Sequence, residues 1–288
     1  KKEFRLRAGQ SKVPFGFENM QSSQNRVAFD RNDAINSGVR DERDLGLFFY
    51  WAPDAIRKRF KMLVDSGLKG SGDYGVVGLG VYNGQGANRF EFNSTPHVVA
   101  RVTWPFVIGN QILEVGAGGY YGNFVIRKED VKDATGATIM KYTTTDPKNS
   151  LLDTRVHGSV VLYPKPVGFV LEYNAGYGPS QGRDDPSVID SRFLHGGYAL
   201  VMVRLENPFP GARSLVPYVR GQLYEGGKKF NVNAPYYQIR ELEGGIEWQI
   251  VEALEVTLAY TVADRTYDKY PYQQEYGHLT RLQLQFNY

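Results

Sequence analysis

The sequence predicts an all-β protein, a transmembrane antiparallel up-and-down β-barrel with about twelve strands in this chain. Three observations support this prediction. Apolar and polar residues alternate with a period of two in short segments, short and long connectors alternate between these segments, and no run of about 18 apolar residues occurs. The last observation excludes a transmembrane helix, whereas a barrel strand needs only one apolar face. We read residues 1–288 as a single barrel domain.

The last predicted strand shows the alternation most clearly. Residues 278–288, HLTRLQLQFNY, have one apolar and one polar face. A soluble protein ending on such a strand would expose an edge that invites aggregation, whereas a closed barrel pairs its last strand with its first. We therefore expect one face to meet lipid and the other a water-filled lumen. The apolar face carries Thr280, Leu282, Leu284, Phe286 and Tyr288, and the polar face carries Leu279, Arg281, Gln283, Gln285 and Asn287.

Similar alternation recurs along the chain, as in residues 44–51, where Leu45, Leu47 and Phe49 alternate with Asp44 and Tyr50. A soluble barrel would fit either phase locally. Aromatic residues at the ends of apolar faces favour a membrane barrel, because they are typical of the membrane interface. These residues are Trp51, Trp104, Tyr121, Tyr177, Trp248 and Tyr288.

The connectors alternate in length, which is a second and independent signal. Outer-membrane barrels have short periplasmic turns and long outer loops, so we expect both termini on the periplasmic side. The short connectors are 107–110, 164–167, 207–214 and 251–253, and the long ones are 11–42, 83–95, 122–152, 179–192, 226–235 and 265–276.

Two segments are irregular. Residues 54–68 place Ile56, Phe60 and Leu63 at helical spacing where a short turn is expected. We predict a short helix at the periplasmic mouth, and the alternative is an irregular pair of strand ends. In residues 199–205 the phase is blurred, because apolar residues occupy both faces.

Composition excludes several classes of function. The net charge of +3 and the lack of a basic run speak against a nucleic-acid partner, and the absence of cysteine excludes a thiolate metal site. None of the four histidines lies in a GxSxG or HExxH motif, so we expect no catalytic residue, no metal and no cofactor. The carboxylates of Glu241, Glu243 and Glu247 are interpreted as a solvated pore wall. A strand-like segment follows Lys1 and Lys2 directly, so we expect an exported chain to be a processed or truncated one.

If the apolar faces meet lipid, arginines and glutamates point inward. Guanidinium groups match phosphate and carboxylate geometry, so small anions would be drawn to the basic side of the lumen. The alternative is that these charges only pair with one another and keep the lumen wet. The inward set is Arg5, Arg7, Arg101, Arg155, Arg204, Arg220 and Arg281, with Glu114, Glu172, Glu241, Glu243, Glu247 and Glu255.

The connector 11–42 is too long for a hairpin turn and too apolar for a disordered tail. We expect it to fold into the barrel as a constriction loop. It would then place Lys12, Arg26, Arg31 or Arg40 near the narrowest point, where cations select for anions.

The stretch RLRAGQSKVPFGFENMQSS resembles the phosphate-selective porin O and P family. RDLGL at 43–47, GVYNGQGAN at 80–88, PYVRGQLYEGG at 217–227 and the closing RLQLQFNY are similar to that family in the same order. The resemblance implies a trimeric anion channel of sixteen strands with a lysine at its constriction. Carried to this sequence, it implies anion-binding roles for Lys12, Ser22, Ser23, Arg5, Arg7 and Arg220.

On this resemblance the first strand of the chain would be the fifth of sixteen, and four strands would be absent, unless the barrel is a smaller variant. We expect an outer-membrane porin that passes small, phosphate-like anions, contacts lipid and lipopolysaccharide, and forms a homotrimer. The alternative is a barrel subunit or scaffold of a larger envelope complex. A barrel enzyme is the weakest of the three readings.

Overall fold

The structure, a computed structural model, describes residues 3–266 and 272–286. Within these ranges the chain forms strands and two short α-helices, α1 (Asp33–Asn36) and α2 (Asp54–Asp65), with one 3-10 turn at Ser23–Asn25. The predicted all-β class is confirmed. The strands are β1 (Phe4–Lys12), β2 (Arg43–Trp51), β3 (Val77–Tyr82), β4 (His97–Ile108), β5 (Gln111–Val125), β6 (Val131–Lys132), β7 (Thr138–Met140), β8 (Thr143–Thr144), β9 (Ser150–Leu162), β10 (Val167–Gln181), β11 (Val188–Val203), β12 (Leu205–Glu206), β13 (Ser214–Gly227), β14 (Tyr236–Val251), β15 (Leu254–Thr266) and β16 (Gln274–Phe286).

One large sheet, antiparallel except for the parallel pairing of β8 with β11, contains fourteen of the strands described. Its main path runs in the order β1-β2-β3-β4-β5-β9-β10-β11-β13-β14-β15-β16, β8 and β12 pair at its side, and β6 with β7 forms a separate hairpin. Consecutive long strands therefore lie next to one another, as in an up-and-down sheet. Among the described residues β1 pairs only with β2 and β16 only with β15, so closure of the sheet stays a prediction. Tyr288, predicted as an interfacial aromatic residue, lies outside the described ranges.

Short and long connections alternate along this path except at residues 52–76, which contain α2 and form a long connection at the end of the sheet that otherwise has short ones. Residues 109–110, 163–166 and 252–253 join strands at one end of the sheet, and 13–42, 83–96, 126–149 and 228–235 join them at the other. The predicted loop 179–192 is shorter in the structure, since β10 continues to Gln181 and β11 begins at Val188. The two extensions pair in register with each other, so both strands continue beyond the residues that show the apolar alternation.

The outer face of the sheet is apolar and exposed. In β2 the side chains of Leu45, Leu47 and Phe49 are exposed, whereas Phe48 and Tyr50 are fully buried on the other face. An exposed apolar surface of this extent marks contact with lipid or with another protein. The same outward phase runs across the sheet through Leu6, Leu79, Val98, Val115, Val156, Leu171, Val201, Val219, Leu242, Leu258 and Leu282.

The inner face is covered by two segments, the 13–42 loop and α2. The apolar face of α2, formed by Ile56, Phe60 and Leu63, is buried in one cluster with inward side chains of the sheet. Leu200 and Met202 belong to this cluster. The blurred phase of β11 thus has a physical cause, because its inward residues pack against α2 and the loop while its outward residues remain apolar. Helix α2 lies within residues 54–68, where the spacing predicts a helix.

Candidate functional site

The neck of the 13–42 loop is a cluster of three cations around one carboxylate. Lys12 Nζ lies 2.8 Å from Glu42 Oε2, Arg26 Nη1 lies 2.6 Å from Oε1, and Arg31 Nε lies 4.0 Å from Oε1. Burial opposes ionisation of Glu42, but hydrogen bonds and charge from Lys12 and Arg26 outweigh it and hold its pKa below the usual range. Since three cations share one carboxylate, positive charge is in excess at the neck cluster.

Lys12 holds the loop in shape from within. Its side chain is only 6% exposed, and Nζ donates to the carbonyl oxygens of Asn19 at 3.1 Å and Gln21 at 2.5 Å. These carbonyls belong to the turn that follows Phe17, where the N–H groups of Met20 and Gln21 return to the Phe17 carbonyl. The ammonium of Lys12 therefore provides hydrogen-bond donors for the backbone carbonyls of Asn19 and Gln21 in this turn.

Glu172 on β10 fixes the inner part of the loop to the sheet. Its fully buried carboxylate accepts the N–H of Phe17 at 2.6 Å and that of Glu18 at 3.0 Å. Gly16 makes this approach possible, because a Cβ there would lie 2.5 Å from Glu172 Oε1 and 2.7 Å from Ile35 Cδ1. Gly16 also has φ +81°, a left-handed conformation that side chains disfavour. The glycine of the KVPFG stretch is thereby explained.

Glu18 connects the loop to β13. Its Oε1 accepts from Arg220 Nη2 at 3.1 Å, and its Oε2 accepts from the backbone N–H and side-chain Nδ2 of Asn32, each at 2.7 Å. Arg220 Nη1 also donates to the carbonyl of Asp30 at 2.7 Å. Asn32 in turn caps α1, because its Oδ1 accepts the N–H of Ile35 at 3.0 Å.

Arg155 on β9 holds the end of α1. It is 1% exposed, and its Nη1 donates to the Ala34 carbonyl at 2.8 Å and to Ser37 Oγ at 2.7 Å, while Nη2 donates to the Ser37 carbonyl at 3.0 Å. These carbonyls lie at the end of a helix, where partners within the helix are lacking. Arg155, Glu172 and Arg220 thus tie one loop to three strands.

Arg101 and Arg31 are also buried. Arg101 Nη2 lies 3.5 Å from Glu114 Oε1, and that carboxylate also accepts hydroxyl groups from Thr103 at 2.7 Å and Tyr163 at 2.6 Å. Arg31 donates to side-chain and backbone oxygens within the loop, including Asn19 Oδ1 at 2.6 Å. The guanidinium of Arg31 is thus engaged by several protein acceptors, whereas Arg101 has this one 3.5 Å contact and its buried Nε has no hydrogen-bond partner among the described residues.

A different part of the inner surface is open, and it carries Arg5 and Arg7 on β1. Arg5 Nη2 lies 2.5 Å from Asp73 Oδ1. The exposed Arg7 has its guanidinium carbon 5.5 Å from the ring centre of Tyr50 and 5.1 Å from that of Tyr74. Among the described residues no carboxylate pairs with Arg7. Arg7 is therefore the most exposed arginine of the inward set.

Three further predicted residues remain. Ser22 and Ser23 lie on the loop, and Arg281 lies at the other edge of the sheet. Ser22 and Ser23 are exposed at the 3-10 turn of the loop. Arg281 on β16 pairs with Asp30 of the loop and with Glu243 Oε2 at 2.9 Å. The predicted set therefore separates by environment. Lys12, Arg155 and Arg220 are buried tethers of the loop, and Arg101 is buried beside Glu114 of the sheet. Arg7, Ser22 and Ser23 are exposed.

The sequence did not single out the buried ion pair between Lys229 and Asp153. Lys229, in the loop 228–235, binds the Asp153 carboxylate of β9, which also accepts the Tyr120 hydroxyl at 3.0 Å and lies 3.1 Å from His97 Nε2. Asn233 of the same loop hydrogen-bonds the backbone of Glu129 twice, each time at 2.8 Å. The loop 228–235 thus holds the connection 126–149 close to the sheet. Lys229 stands between Lys228 and Phe230 in a loop of mixed polar and apolar residues, and no local pattern marks it.

No group of His, Cys, Asp and Glu side chains in the described residues is arranged to hold a metal ion. No described helix has the length and apolar character needed to cross a bilayer.

An antiparallel sheet with an exposed apolar face and a charged inner face that holds a loop is typical of outer-membrane channels. The family model for phosphate-selective porin O and P matches residues 1–182. The chain therefore belongs to the phosphate-selective porin O and P family, as its motifs predict, and its location is the bacterial outer membrane. Family and fold indicate a channel protein.

Two solved structures are similar to this chain. The outer membrane channel DcaP of Acinetobacter baumannii is 10% identical, with 98% of this chain and 71% of that chain covered and a TM-score of 0.50. OmpT of Vibrio cholerae, expressed in the outer membrane, is 10% identical, with 98% and 75% covered and a TM-score of 0.47. At such identity the likeness to DcaP speaks for the fold alone. No curated protein matches the sequence.

Proposed function

We propose that this protein is a porin that passes small, phosphate-like anions across the outer membrane. The observation that carries the proposal is Arg7, an exposed guanidinium on the inner face with tyrosine rings for neighbours and no carboxylate partner among the described residues. A guanidinium presents a fork of donors that suits phosphate. An anion crossing the inner face would meet this group before any buried arginine.

The 13–42 loop is proposed to form the constriction, with the neck cluster of Lys12, Arg26 and Arg31 around Glu42 supplying positive potential there. The ammonium of Lys12 is already bound to protein acceptors. Its proposed role is therefore to hold the loop and bias the local field, rather than to bind each passing anion. Exposed Ser22 and Ser23 offer hydroxyl donors beside this charge.

The sheet is proposed to be closed in the membrane, because an edge left open in hydrocarbon has unpaired N–H and C=O groups. Either β1 meets β16 or further strands lie between them. A homotrimer is also proposed. An apolar depression of about 640 Å³ on the outer face has Ala100 and Gly119 in its lining between larger side chains such as Leu79 and Val156, a shape suited to packing against another subunit. The rest of the apolar outer face is proposed to contact lipid and lipopolysaccharide.

The proposal is tested by planar-bilayer recording with the purified protein. We expect a chloride current that falls when phosphate is added, since phosphate would dwell longer at the guanidinium groups. Preference for cations would overturn the anion selectivity, and absence of conductance would overturn the porin itself.

A matched pair of variants assigns the site. Arg7→Gln removes one exposed inward guanidinium and should weaken the block by phosphate. Lys132→Gln removes a cation from β6, in the hairpin outside the main sheet, and should leave the block unchanged. Equal block in wild type and Arg7→Gln would remove Arg7 from the pathway.

A second candidate function, a scaffold subunit with little channel activity, is favoured by one observation. The inner face is filled at one end by α2, with Phe60 and Leu63 buried in an apolar cluster. If α2 blocks the lumen, the wild-type protein does not conduct, and a variant that loosens α2, such as Phe60→Ser, conducts.

A further inference from the structure

A tight turn ahead of β3 carries a carboxylate to the open inner surface beside β1. Residues 72–75, Gly-Asp-Tyr-Gly, belong to the connection between α2 and β3, and we term them the glycine strap. Gly72 and Gly75 have φ of +87° and +79°, left-handed conformations that side chains disfavour. The N–H of Tyr74 returns to the Gly72 carbonyl at 3.2 Å, so Asp73 lies at the tip of the turn.

The carboxylate of Asp73 is shared by two guanidinium groups. Arg5 Nη2 of β1 lies 2.5 Å from Oδ1, and Arg57 Nε of α2 lies 2.8 Å from Oδ2. The side chains of Arg5, Arg57 and Asp73 are 21%, 23% and 19% exposed, so the cluster is partly open to solvent. Guanidinium groups bind phosphate and carboxylate through the same N–H donors, and Asp73 therefore occupies donors that a solute anion would use.

Arg7, the residue that carries the proposed function, lies next to the same strap. Its guanidinium borders the ring of Tyr74, which follows Asp73 in the chain. Arg5 and Arg7 both lie over the ring of Tyr50, and their positions on β1 are roughly 7 Å apart along the strand. An anion at Arg7 would thus be attracted by the guanidinium of Arg5 and repelled by the carboxylate of Asp73.

The glycine strap has fixed ends and a deformable middle. On one side the Gly70 carbonyl accepts a side-chain amide of the 13–42 loop at 3.1 Å, and on the other the Val76 N–H donates to a carbonyl of β2 at 2.8 Å. Because glycine adopts either sign of φ readily, rotation at Gly72 and Gly75 would withdraw the carboxylate and leave these two anchors in place.

We propose that Asp73 is a specificity-determining residue of the anion pathway, a tethered competitor that solute anions displace from Arg5 and Arg57. This inference rests on the proposed function, since it concerns the same inner surface. A solute must then bind the guanidinium groups better than the carboxylate does, which favours phosphate-like anions with several oxygens over chloride. A purely structural ion pair has the opposite consequence, because loss of Asp73 would leave the arginines without a fixed position and weaken anion binding.

Isothermal titration calorimetry with inorganic phosphate, on the full chain in detergent, distinguishes these two roles by the sign of the change. Asp73→Asn removes the competing charge and should bind phosphate about tenfold more tightly than the wild type. Asp73→Glu restores the charge and should return the affinity towards the wild-type value. Unchanged or weaker binding in Asp73→Asn would overturn the proposal.

The matched control for these titrations is Glu252→Gln. It removes a carboxylate that also pairs with an arginine, Arg213, at 2.8 Å, but in the short connection between β14 and β15. Its affinity for phosphate should equal that of the wild type. A gain as large as that of Asp73→Asn would show a general effect of net charge and would also overturn the proposal.

A second measurement uses the wild type alone, so it does not depend on the folding of a variant. Hydrogen–deuterium exchange of residues 72–75 is compared without phosphate and with saturating phosphate. Ordinary ligand binding slows exchange near its site, whereas displacement of Asp73 releases the strap and should accelerate exchange about tenfold. Unchanged or slower exchange with phosphate would contradict displacement. Cation preference in the planar bilayer would overturn the proposed function but leave both measurements on Asp73 valid.

Discussion

Replacement of Gly16 by alanine tests how the inward loop is held. A Cβ at this position would lie 2.5 Å from Glu172 Oε1 and 2.7 Å from Ile35 Cδ1, and φ is +81°. The methyl group would displace the carboxylate from the N–H groups of Phe17 and Glu18, which it accepts at 2.6 and 3.0 Å.

The expected magnitude follows from these two bonds. A hydrogen bond to a charged group contributes about 1.5–3 kcal/mol, and left-handed backbone adds about 1 kcal/mol for alanine. With partial relaxation, the free energy of opening for residues 15–21 should fall by about 3 kcal/mol. Since 1.4 kcal/mol is a factor of ten, amide exchange of Phe17 and Glu18 should accelerate on the order of 100-fold.

Hydrogen–deuterium exchange on the folded protein measures this effect. Gly136→Ala is the matched control, because Gly136 also has a positive φ, +88°, but no atom within 4 Å of the added Cβ. It should leave the exchange of the Phe17 and Glu18 amides unchanged. If Gly16→Ala behaves like the control, Glu172 does not hold the loop as described.

Other consequences concern the two buried ion clusters. Lys229→Met leaves the Asp153 carboxylate buried without its ammonium partner, and a loss of roughly 3–5 kcal/mol should appear as a lower Tm in thermal unfolding. Because the pKa of Glu42 is depressed, its stabilising contribution should be complete above about pH 4.3 and fade only as the pH falls through its lowered value. The difference in protease cleavage of the loop between the wild type and Glu42→Gln, followed from pH 7 to pH 3, should therefore stay constant down to about pH 4. Lys12→Gln removes one of three cations at the neck cluster and should reduce anion preference. An unchanged reversal potential would exclude Lys12 from selectivity.

The strands and their phase could be predicted from the sequence, because alternation reports directly which side chains share a face. Leu45 and Leu47 are exposed and Tyr50 is buried, as the pattern predicts. Leu200 and Met202 could not be placed, since the apolar cluster that buries them includes α2 and the 13–42 loop, which come from a distant part of the chain.

The residues of the candidate site could be predicted from the sequence, but the contacts that each residue makes could not. The pattern places Arg155 and Arg220 inward, and they are inward, yet their partners are backbone carbonyls and a loop carboxylate. The tie between Phe17 and Glu172 spans 155 residues in sequence, so no local pattern encodes it. The period of a strand determines which of its side chains point inward. The partner of each inward charge depends instead on how the 13–42 loop folds. The predicted anion-binding roles stay predictions until conduction is measured.

The central claim is that solutes crossing this protein are selected for negative charge. The most direct test is the reversal potential of the wild-type channel in a planar bilayer under a tenfold KCl gradient. We predict the sign of chloride preference, with a magnitude that approaches about 59 mV for strong selectivity. A reversal potential of the opposite sign would contradict the claim.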